Sequence, residues 1–182
     1  MTTHITYFVH GTTTDNEQGL CTGWDPGELS ELGIQQANEL GNRVDASRFG
    51  IMFCSDLKRA VDSARLGFDG KLDIIEDKRL RECDYGFLTR KPERMIDYTR
   101  YIRTPFPNGE SLQDVEKRIR DFLRMLESNY TEKHIAIMAH KAPQLALEVV
   151  LNGKSWEQAI DQDWRKTKSW QPGWNYEITQ PV

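Results

Sequence analysis

The chain has 182 residues, of which 38% are hydrophobic and 29% are charged, and its formal net charge at pH 7 is −4. This length predicts a single domain over residues 1–182 with one hydrophobic core. The acidic balance argues against a broad basic surface for nucleic acid. Because the sequence shows neither the pattern of a signal peptide nor an apolar run long enough for a membrane span, we expect a cytoplasmic protein with no membrane partner.

Five short runs in the sequence predict β-strands. Four of them are rich in apolar, β-branched and aromatic residues and cover residues 5–9, 51–54, 74–75 and 135–139. The fifth, NYEIT at 175–179, indicates a final strand that completes the sheet. Since longer segments with helical spacing separate these runs, the pattern predicts an α/β fold with a mainly parallel central sheet.

Four segments predict helices. One begins near Ser30 and has Gly41 as its candidate C-cap, and a second begins after the sequence CSDLKRA at 54–60. A third has Ser111 as its N-cap and an apolar stripe over 115–126. The fourth follows His140 and runs to Val150. We expect each helix to pack its apolar face on the sheet.

Residues 89–109 fit this pattern poorly. The segment contains Pro92, Pro105 and Pro107 together with five basic residues. We interpret it as an insertion that lies over one end of the sheet, near the site described next.

Three polar residues lie just beyond predicted strands. His10 follows the first run, Arg59 follows the second, and His140 follows the run at 135–139. In open α/β sheets, ligands bind outside the carboxyl ends of the strands. These three side chains are therefore expected to meet in one pocket.

Metal binding is not indicated by the sequence. Cys21, Cys54 and Cys83 lack the paired spacing of a zinc or redox site, and Cys54 is interpreted as a core residue. The acidic pair Asp161 and Asp163 follows no apolar strand. We predict neither a metal nor any other cofactor.

Seven motifs in series carry a resemblance. They are HGTTTDN at 10–16, TGW at 22–24, LSELGIQQA at 29–37, SDLKRAVDSA at 55–64, RLRECDYGFL at 79–88, NGESLQDVEKRI at 108–119 and IMAHKAP at 137–143. In this order the motifs resemble the landmarks of the histidine phosphatase superfamily, also called the phosphoglycerate mutase-like family. The resemblance implies a three-layer αβα fold.

The resemblance also implies roles for individual residues. His10 would be the nucleophile that becomes phosphohistidine, and Glu82 would be the proton donor to the leaving oxygen. Arg59 and His140 would bind the transferring phosphoryl group. The further phosphate-binding positions would be Gly11, Thr13, Asn16, Thr22 and Gly23.

The sequence departs from the family pattern at two positions. The usual arginine before the first histidine is replaced by Val9, and the usual glycine after the second histidine is replaced by Lys141. Either Lys141 supplies part of the missing positive charge to the phosphate, or it is a solvated lysine. Without compensation, the loss of one transition-state donor would cost about 10²- to 10³-fold in rate.

The resemblance implies a histidine acid phosphatase-type enzyme, a metal-independent phosphomonoesterase for a small cytosolic phosphorylated metabolite. Three alternatives stay open: a phosphate-binding module with weakened or no catalysis, a phosphoglycerate mutase-type phosphotransferase, and a phosphatase for phosphorylated protein side chains. Arg90 in the 89–109 segment either contacts the substrate or is a solvated charge. A dense group of tryptophans near the C-terminus predicts a packed layer, part of which could form a homodimer contact.

Overall fold

The computed structural model describes residues 2–182 and contains a five-stranded central sheet. The strands are β1 (Thr3–Val9), β2 (Ile51–Cys54), β3 (Ile74–Glu76), β4 (His134–Ala139) and β5 (Trp174–Ile178). Their order is β3-β2-β4-β1-β5, and every neighbouring pair is parallel except β1 with β5. The mainly parallel sheet and all five predicted strands are confirmed.

Seven α-helices accompany the sheet within the described residues. They are α1 (Thr14–Glu17), α2 (Glu31–Arg43), α3 (Lys58–Phe68), α4 (Leu112–Asn129), α5 (Lys141–Val150), α6 (Trp156–Asp161) and α7 (Trp164–Thr167). Helices α2 and α3 pack on one face of the sheet, over an apolar cluster that includes Phe8, Met52 and Met138. Helices α4, α5 and α6 cover the opposite face. The predicted three-layer αβα arrangement is confirmed.

The helix starts follow from local capping. The Ser30 hydroxyl accepts the N–H of Gly33 at the start of α2, and Ser111 forms a reciprocal capping box with Asp114 at the start of α4. Both predicted N-caps are therefore confirmed.

The predicted C-cap at Gly41 is wrong. Helix α2 continues through Gly41 to Arg43, and its C-cap is Val44. Gly41 is buried where α2 crosses α3, and a Cβ added at this glycine would stand 2.1 Å from the carbonyl oxygen of Gly67. The glycine therefore permits the close approach of two helices rather than ending one.

Residues 89–109 contain two short 3₁₀ helices, Glu93–Met95 and Tyr98–Tyr101, and no α-helix. Glu93 and Tyr98 of this segment line the cavity described below. None of the helices within residues 2–182 has the length and apolarity of a membrane-spanning segment.

The C-terminal tryptophans are partly packed. Trp156 is buried in the main core, and the ring of Trp164 stacks on that of Trp174 with centroids 5.0 Å apart. Trp170 remains half exposed. These contacts attach α7 to β5 beside the carboxyl end of β1.

Candidate active site

His10 follows the carboxyl end of β1, and its imidazole is fixed in one tautomer. Its Nδ1 lies 2.7 Å from the carbonyl oxygen of Gly11. Because a carbonyl oxygen only accepts, Nδ1 carries the proton and Nε2 keeps a free lone pair. Burial and the nearby Arg59 charge lower the pKa of His10 from the ordinary 6.5 to about 3. At neutral pH the imidazole is therefore uncharged and able to act as a nucleophile.

His140 lies beside His10, with the two ring centroids 5.0 Å apart. Its backbone is held by Tyr7, whose hydroxyl accepts the His140 N–H at 2.9 Å and donates to the His140 carbonyl at 2.6 Å. The ring is fully buried, and neither ring nitrogen has a hydrogen-bond partner within residues 2–182. Burial and the Arg59 charge also hold the pKa of His140 well below its ordinary value.

Arg59, near the start of α3, is a buried cation held by main-chain carbonyls. Its Nη1 donates to the carbonyl of Asp25 at 2.8 Å, and its Nη2 donates to that of Gly23 at 2.8 Å. The side chain is only 2% exposed. The loop at 22–27 thus fixes the guanidinium in the same cavity as His10. Of the three residues expected to share one pocket, the structure places His10 and Arg59 on the cavity wall and His140 against the His10 ring, off that wall.

Glu82 faces the same cavity from the segment that follows β3. Its Oε1 accepts the N–H groups of Cys83 and Ala142 at 2.8 and 3.0 Å, and its Oε2 accepts the N–H of Lys141 at 3.1 Å. Lys141 and Ala142 begin α5, so the carboxylate lies at the positive end of that helix. These bonds fix the carboxylate and join the segment after β3 to the start of α5.

The loop residues divide into two groups. Asn16, Thr22 and Gly23 line the cavity. Thr13 is fully buried and caps α1 by accepting the N–H of Asn16. The N–H of Gly11 donates to the Ser63 hydroxyl at 3.0 Å. The structure thus uses Thr13 and Gly11 to shape the loop and places neither on the cavity wall.

The cavity has a volume of about 270 Å³. Arg59, Lys141 and Arg165 are the basic residues on its wall, and Glu82 and Glu93 are the acidic ones. The wall also includes the aromatic rings of Tyr85, Tyr98 and Trp164. A site of this size and charge suits a small anion carrying a compact organic group.

Lys141 reaches the cavity, but its ammonium is already partnered. Nζ lies 2.8 Å from Oε1 of Glu93 and 4.0 Å above the ring of Tyr98. A second carboxylate, that of Asp163, stands 3.9 Å away. The lysine is therefore neither simply solvated nor free to give its whole charge to a ligand.

Arg90 does not line the cavity. Its side chain is 63% exposed and lies 3.6 Å from a carboxylate oxygen of Asp15 and 3.5 Å from one of Asp25. The 89–109 segment meets the cavity through Glu93 and Tyr98 instead of through this arginine.

Sequence reasoning missed Arg165, Glu93 and Tyr98. Arg165 belongs to α7, a single helical turn that offers no apolar period, and it stands next to the acidic pair considered as a metal motif. Glu93 and Tyr98 lie in the irregular 89–109 segment. The sequence around Arg165, Asp163-Trp164-Arg165-Lys166, gives no local signal of a site residue.

Comparisons with known proteins agree with this geometry. Residues 7–173 match the family model of the histidine phosphatase superfamily, branch 1. A 2,3-bisphosphoglycerate-dependent phosphoglycerate mutase from Methylobacterium sp. (strain 4-46) is 32% identical, over 81% of this chain and 80% of the relative.

Two solved structures are similar in fold and sequence. The alpha-ribazole phosphatase from Shigella flexneri has a TM-score of 0.75 at 27% identity, over 87% of this chain and 84% of its own. The mycobacterial glucosyl-3-phosphoglycerate phosphatase, in complex with VO3, has a TM-score of 0.74 at 27% identity, over 87% and 86%. The chain belongs to the histidine phosphatase superfamily, branch 1.

Proposed function

We propose that the protein is a phosphomonoesterase that transfers the phosphoryl group of a small ester first to His10 and then to water. The observation that carries this proposal is the state of His10. Its Nδ1 donates to the Gly11 carbonyl, and its pKa of about 3 leaves Nε2 unprotonated at neutral pH. A neutral, oriented imidazole is what nucleophilic attack on phosphorus requires.

In the first step, Nε2 of His10 attacks the phosphorus and the bond to the ester oxygen breaks. A protonated Glu82 gives its proton to the leaving alkoxide, and His10 becomes phosphohistidine. The Arg59 guanidinium stabilises charge on the phosphoryl oxygens. The unpartnered ring of His140 supplies an N–H for the same group, which accounts for a buried imidazole with no protein partner.

In the second step, water attacks the phosphorus from the side that the alkoxide has left. The Glu82 carboxylate takes the proton from water, the P–N bond breaks and inorganic phosphate forms. His10 returns to its neutral tautomer, which the Gly11 carbonyl holds throughout. No step in this sequence requires a metal ion, so we propose a metal-independent enzyme.

We propose a small phosphorylated metabolite as the substrate class. The cavity of about 270 Å³ supports this, as do the aromatic walls Tyr85 and Tyr98 beside the carboxylate of Glu82. The similar structures bear the names of phosphatases for alpha-ribazole and glucosyl-3-phosphoglycerate compounds. A free metabolite of this kind is consistent with a cytosolic site of action.

A second candidate is transfer to another hydroxyl instead of water. The 32% identity to a phosphoglycerate mutase favours testing it. Both reactions share the phosphohistidine step and differ only in the acceptor. The products formed from 3-phosphoglycerate therefore separate them: free phosphate indicates hydrolysis, and an isomer indicates mutase activity.

The test is a turnover panel of p-nitrophenyl phosphate, sugar phosphates and 3-phosphoglycerate, with and without chelator. We expect chelator-resistant phosphate release by the wild type and its loss in His10→Ala. His4→Ala is the matched control, because His4 is exposed on β1. Equal turnover by His10→Ala and His4→Ala contradicts the mechanism, and sensitivity to chelator contradicts metal independence. Phosphate binding without turnover identifies a binding module.

A further inference from the structure

Val9 provides no positive charge at the carboxyl end of β1, where the family pattern has an arginine. The side chain lines the cavity next to His10 and carries no charge. The phosphoryl group of an ester bears up to two negative charges, and its transition state distributes charge over three oxygens. The missing guanidinium therefore has to be replaced from elsewhere, or the proposed reaction is slow.

Two of the basic groups on the wall already have partners. Arg59 donates through Nη1 and Nη2 to loop carbonyls, and the Lys141 ammonium is shared between Glu93 and the ring of Tyr98. A single ammonium also lacks the planar fork that binds two phosphate oxygens at once. Arg165 also has a partner carboxylate, that of Asp163, but within residues 2–182 it keeps more N–H groups without a hydrogen bond than Arg59 or Lys141 does.

The Arg165 guanidinium is held on one edge and open on the other. Its Nη1 donates to Oδ1 of Asp163 at 3.0 Å and to Oε1 of Gln144 at 3.3 Å. Its Cζ lies 4.3 Å from the centre of the Trp164 ring. Within residues 2–182, Nε and Nη2 make no hydrogen bond. These two groups form the edge of the guanidinium that can donate to two phosphate oxygens at once.

Chain topology explains why Arg165 lines the same cavity as Val9. Strand β5 runs antiparallel to β1, with Trp174 opposite Tyr7. The chain that enters β5 therefore comes from the carboxyl end of β1, where Val9 and His10 lie. Helix α7 is attached there, because Trp164 stacks on Trp174 and donates to Gln144 of α5.

The electrostatics agree with this placement. Burial and Arg59 lower the pKa of His10 most, and the Arg165 charge adds to this effect. For His140, burial, Arg59, His10 and Arg118 all contribute more than Arg165. A cation near enough to act on the His10 imidazole also acts on an anion bound in the cavity beside it.

We propose that Arg165, brought to the site by α7 instead of β1, binds the phosphoryl group as the catalytic guanidinium that Val9 does not provide. Asp163 and Gln144 are positioning residues, because they bind the guanidinium and do not line the cavity. Trp164 packs against the guanidinium and is itself part of the cavity wall. The inference rests on the proposed phosphatase function, so its test needs a readout of anion binding as well as turnover.

The test compares Arg165→Gln with Lys166→Gln. Lys166 is an exposed basic residue on the same helix, so its variant removes an equal charge away from the cavity. The measurements are kcat/KM for p-nitrophenyl phosphate, the Kd values of inorganic phosphate and vanadate by calorimetry, and the melting temperature. We expect Arg165→Gln to lose about 10²- to 10³-fold in kcat/KM and to bind both anions more weakly. Lys166→Gln should keep the wild-type values.

Two further variants make the result specific. Arg165→Lys keeps the charge but removes the fork, and it should fall between Arg165→Gln and the wild type in both turnover and anion affinity. Val9→Arg in the Arg165→Gln background should restore part of the turnover and part of the anion affinity, because an arginine at either position can bind the same phosphoryl group. Lys141→Gln should cost less than Arg165→Gln, since Glu93 already holds its ammonium.

The outcomes separate the two proposals. If the wild type is active and Arg165→Gln matches Lys166→Gln in turnover and anion binding, the role of Arg165 is refuted and the phosphatase function stands. If the wild type has no turnover but Arg165→Gln weakens vanadate binding, the role in anion binding stands and the phosphatase function is refuted. If Arg165→Gln does not fold, Arg165→Lys takes its place. Wild-type turnover and anion affinity in Arg165→Lys then refute the proposal that the guanidinium edge binds two phosphate oxygens. A wild type with neither turnover nor anion binding refutes both.

Discussion

Replacing Glu82 with glutamine separates the chemical role of this residue from its structural one. The carboxylic acid form of Glu82 is proposed to protonate the leaving oxygen, and the oxygens of this side chain also accept three main-chain N–H groups, from Cys83, Lys141 and Ala142. Glutamine keeps the shape of the side chain but has one acceptor oxygen and an NH₂ group in place of the second. The variant is therefore expected to reduce both the rate of the chemical step and the stability of the fold.

The structural cost follows from the three hydrogen bonds. A glutamine oxygen in the place of Oε1 still accepts from Cys83 and Ala142, whereas its NH₂ group then faces the N–H of Lys141. One bond is lost and two donors are opposed, which costs about 1–3 kcal/mol in the free energy of unfolding. The chemical cost, loss of a general acid, is about 10²- to 10⁴-fold in rate.

The assay uses two leaving groups. p-Nitrophenolate departs without being protonated, whereas a sugar alkoxide requires a proton. For the formation of phosphohistidine, measured in a single turnover, Glu82→Gln should slow a sugar phosphate far more than p-nitrophenyl phosphate. Equal slowing of the two substrates would refute the role as an acid and leave only the structural one. Urea unfolding of the same variant measures the structural cost independently.

Two predictions concern stability. Burial and the Arg59 charge lower the pKa of His140 in the folded protein. Below about pH 6.5 the unfolded chain therefore binds more protons than the folded one, and the free energy of unfolding decreases as the pH falls from about 7 to about 5. In urea unfolding at pH 7 and pH 5, the free energy of unfolding of His140→Gln should decrease less than that of the wild type. An equal decrease would contradict the assignment. Gly41→Ala should destabilise by about 1–3 kcal/mol, because its Cβ would meet the Gly67 carbonyl at 2.1 Å. Gly50→Ala, where a Cβ meets no atom within 4 Å, is the control, and equal melting temperatures of the two variants would contradict the packing argument.

The parts of the fold that could be predicted from sequence are those with a local physical signal. Buried parallel strands appear as short apolar runs, and N-caps such as Ser30 and Ser111 are defined by hydroxyls that accept nearby N–H groups. Gly41 could not be assigned in this way, because a glycine that ends a helix and one that admits a second helix look the same in one sequence. The difference lies in Gly67, 26 positions further along the chain.

The site shows the same limit. His10, Arg59 and His140 were predictable because each follows a strand, and parallel strands bring their carboxyl ends together. Arg165 was not predictable, because α7 is one turn long and reaches the cavity only through the antiparallel pairing of β5 with β1. Thr13 belongs to a motif of the family, which implies phosphate binding, yet its side chain accepts the N–H of Asn16 and caps α1.

Trapping the covalent intermediate tests the central claim most directly. The wild type is mixed with p-nitrophenyl phosphate, quenched rapidly in alkali, in which phosphohistidine is stable, and analysed by peptide mass spectrometry. The account predicts a mass increase of one phosphoryl group on the peptide that contains His10, absent in His10→Ala and lost on acid treatment. Steady hydrolysis with no phosphorylated His10 at any quench time, or a phosphoryl group on another residue, would contradict it.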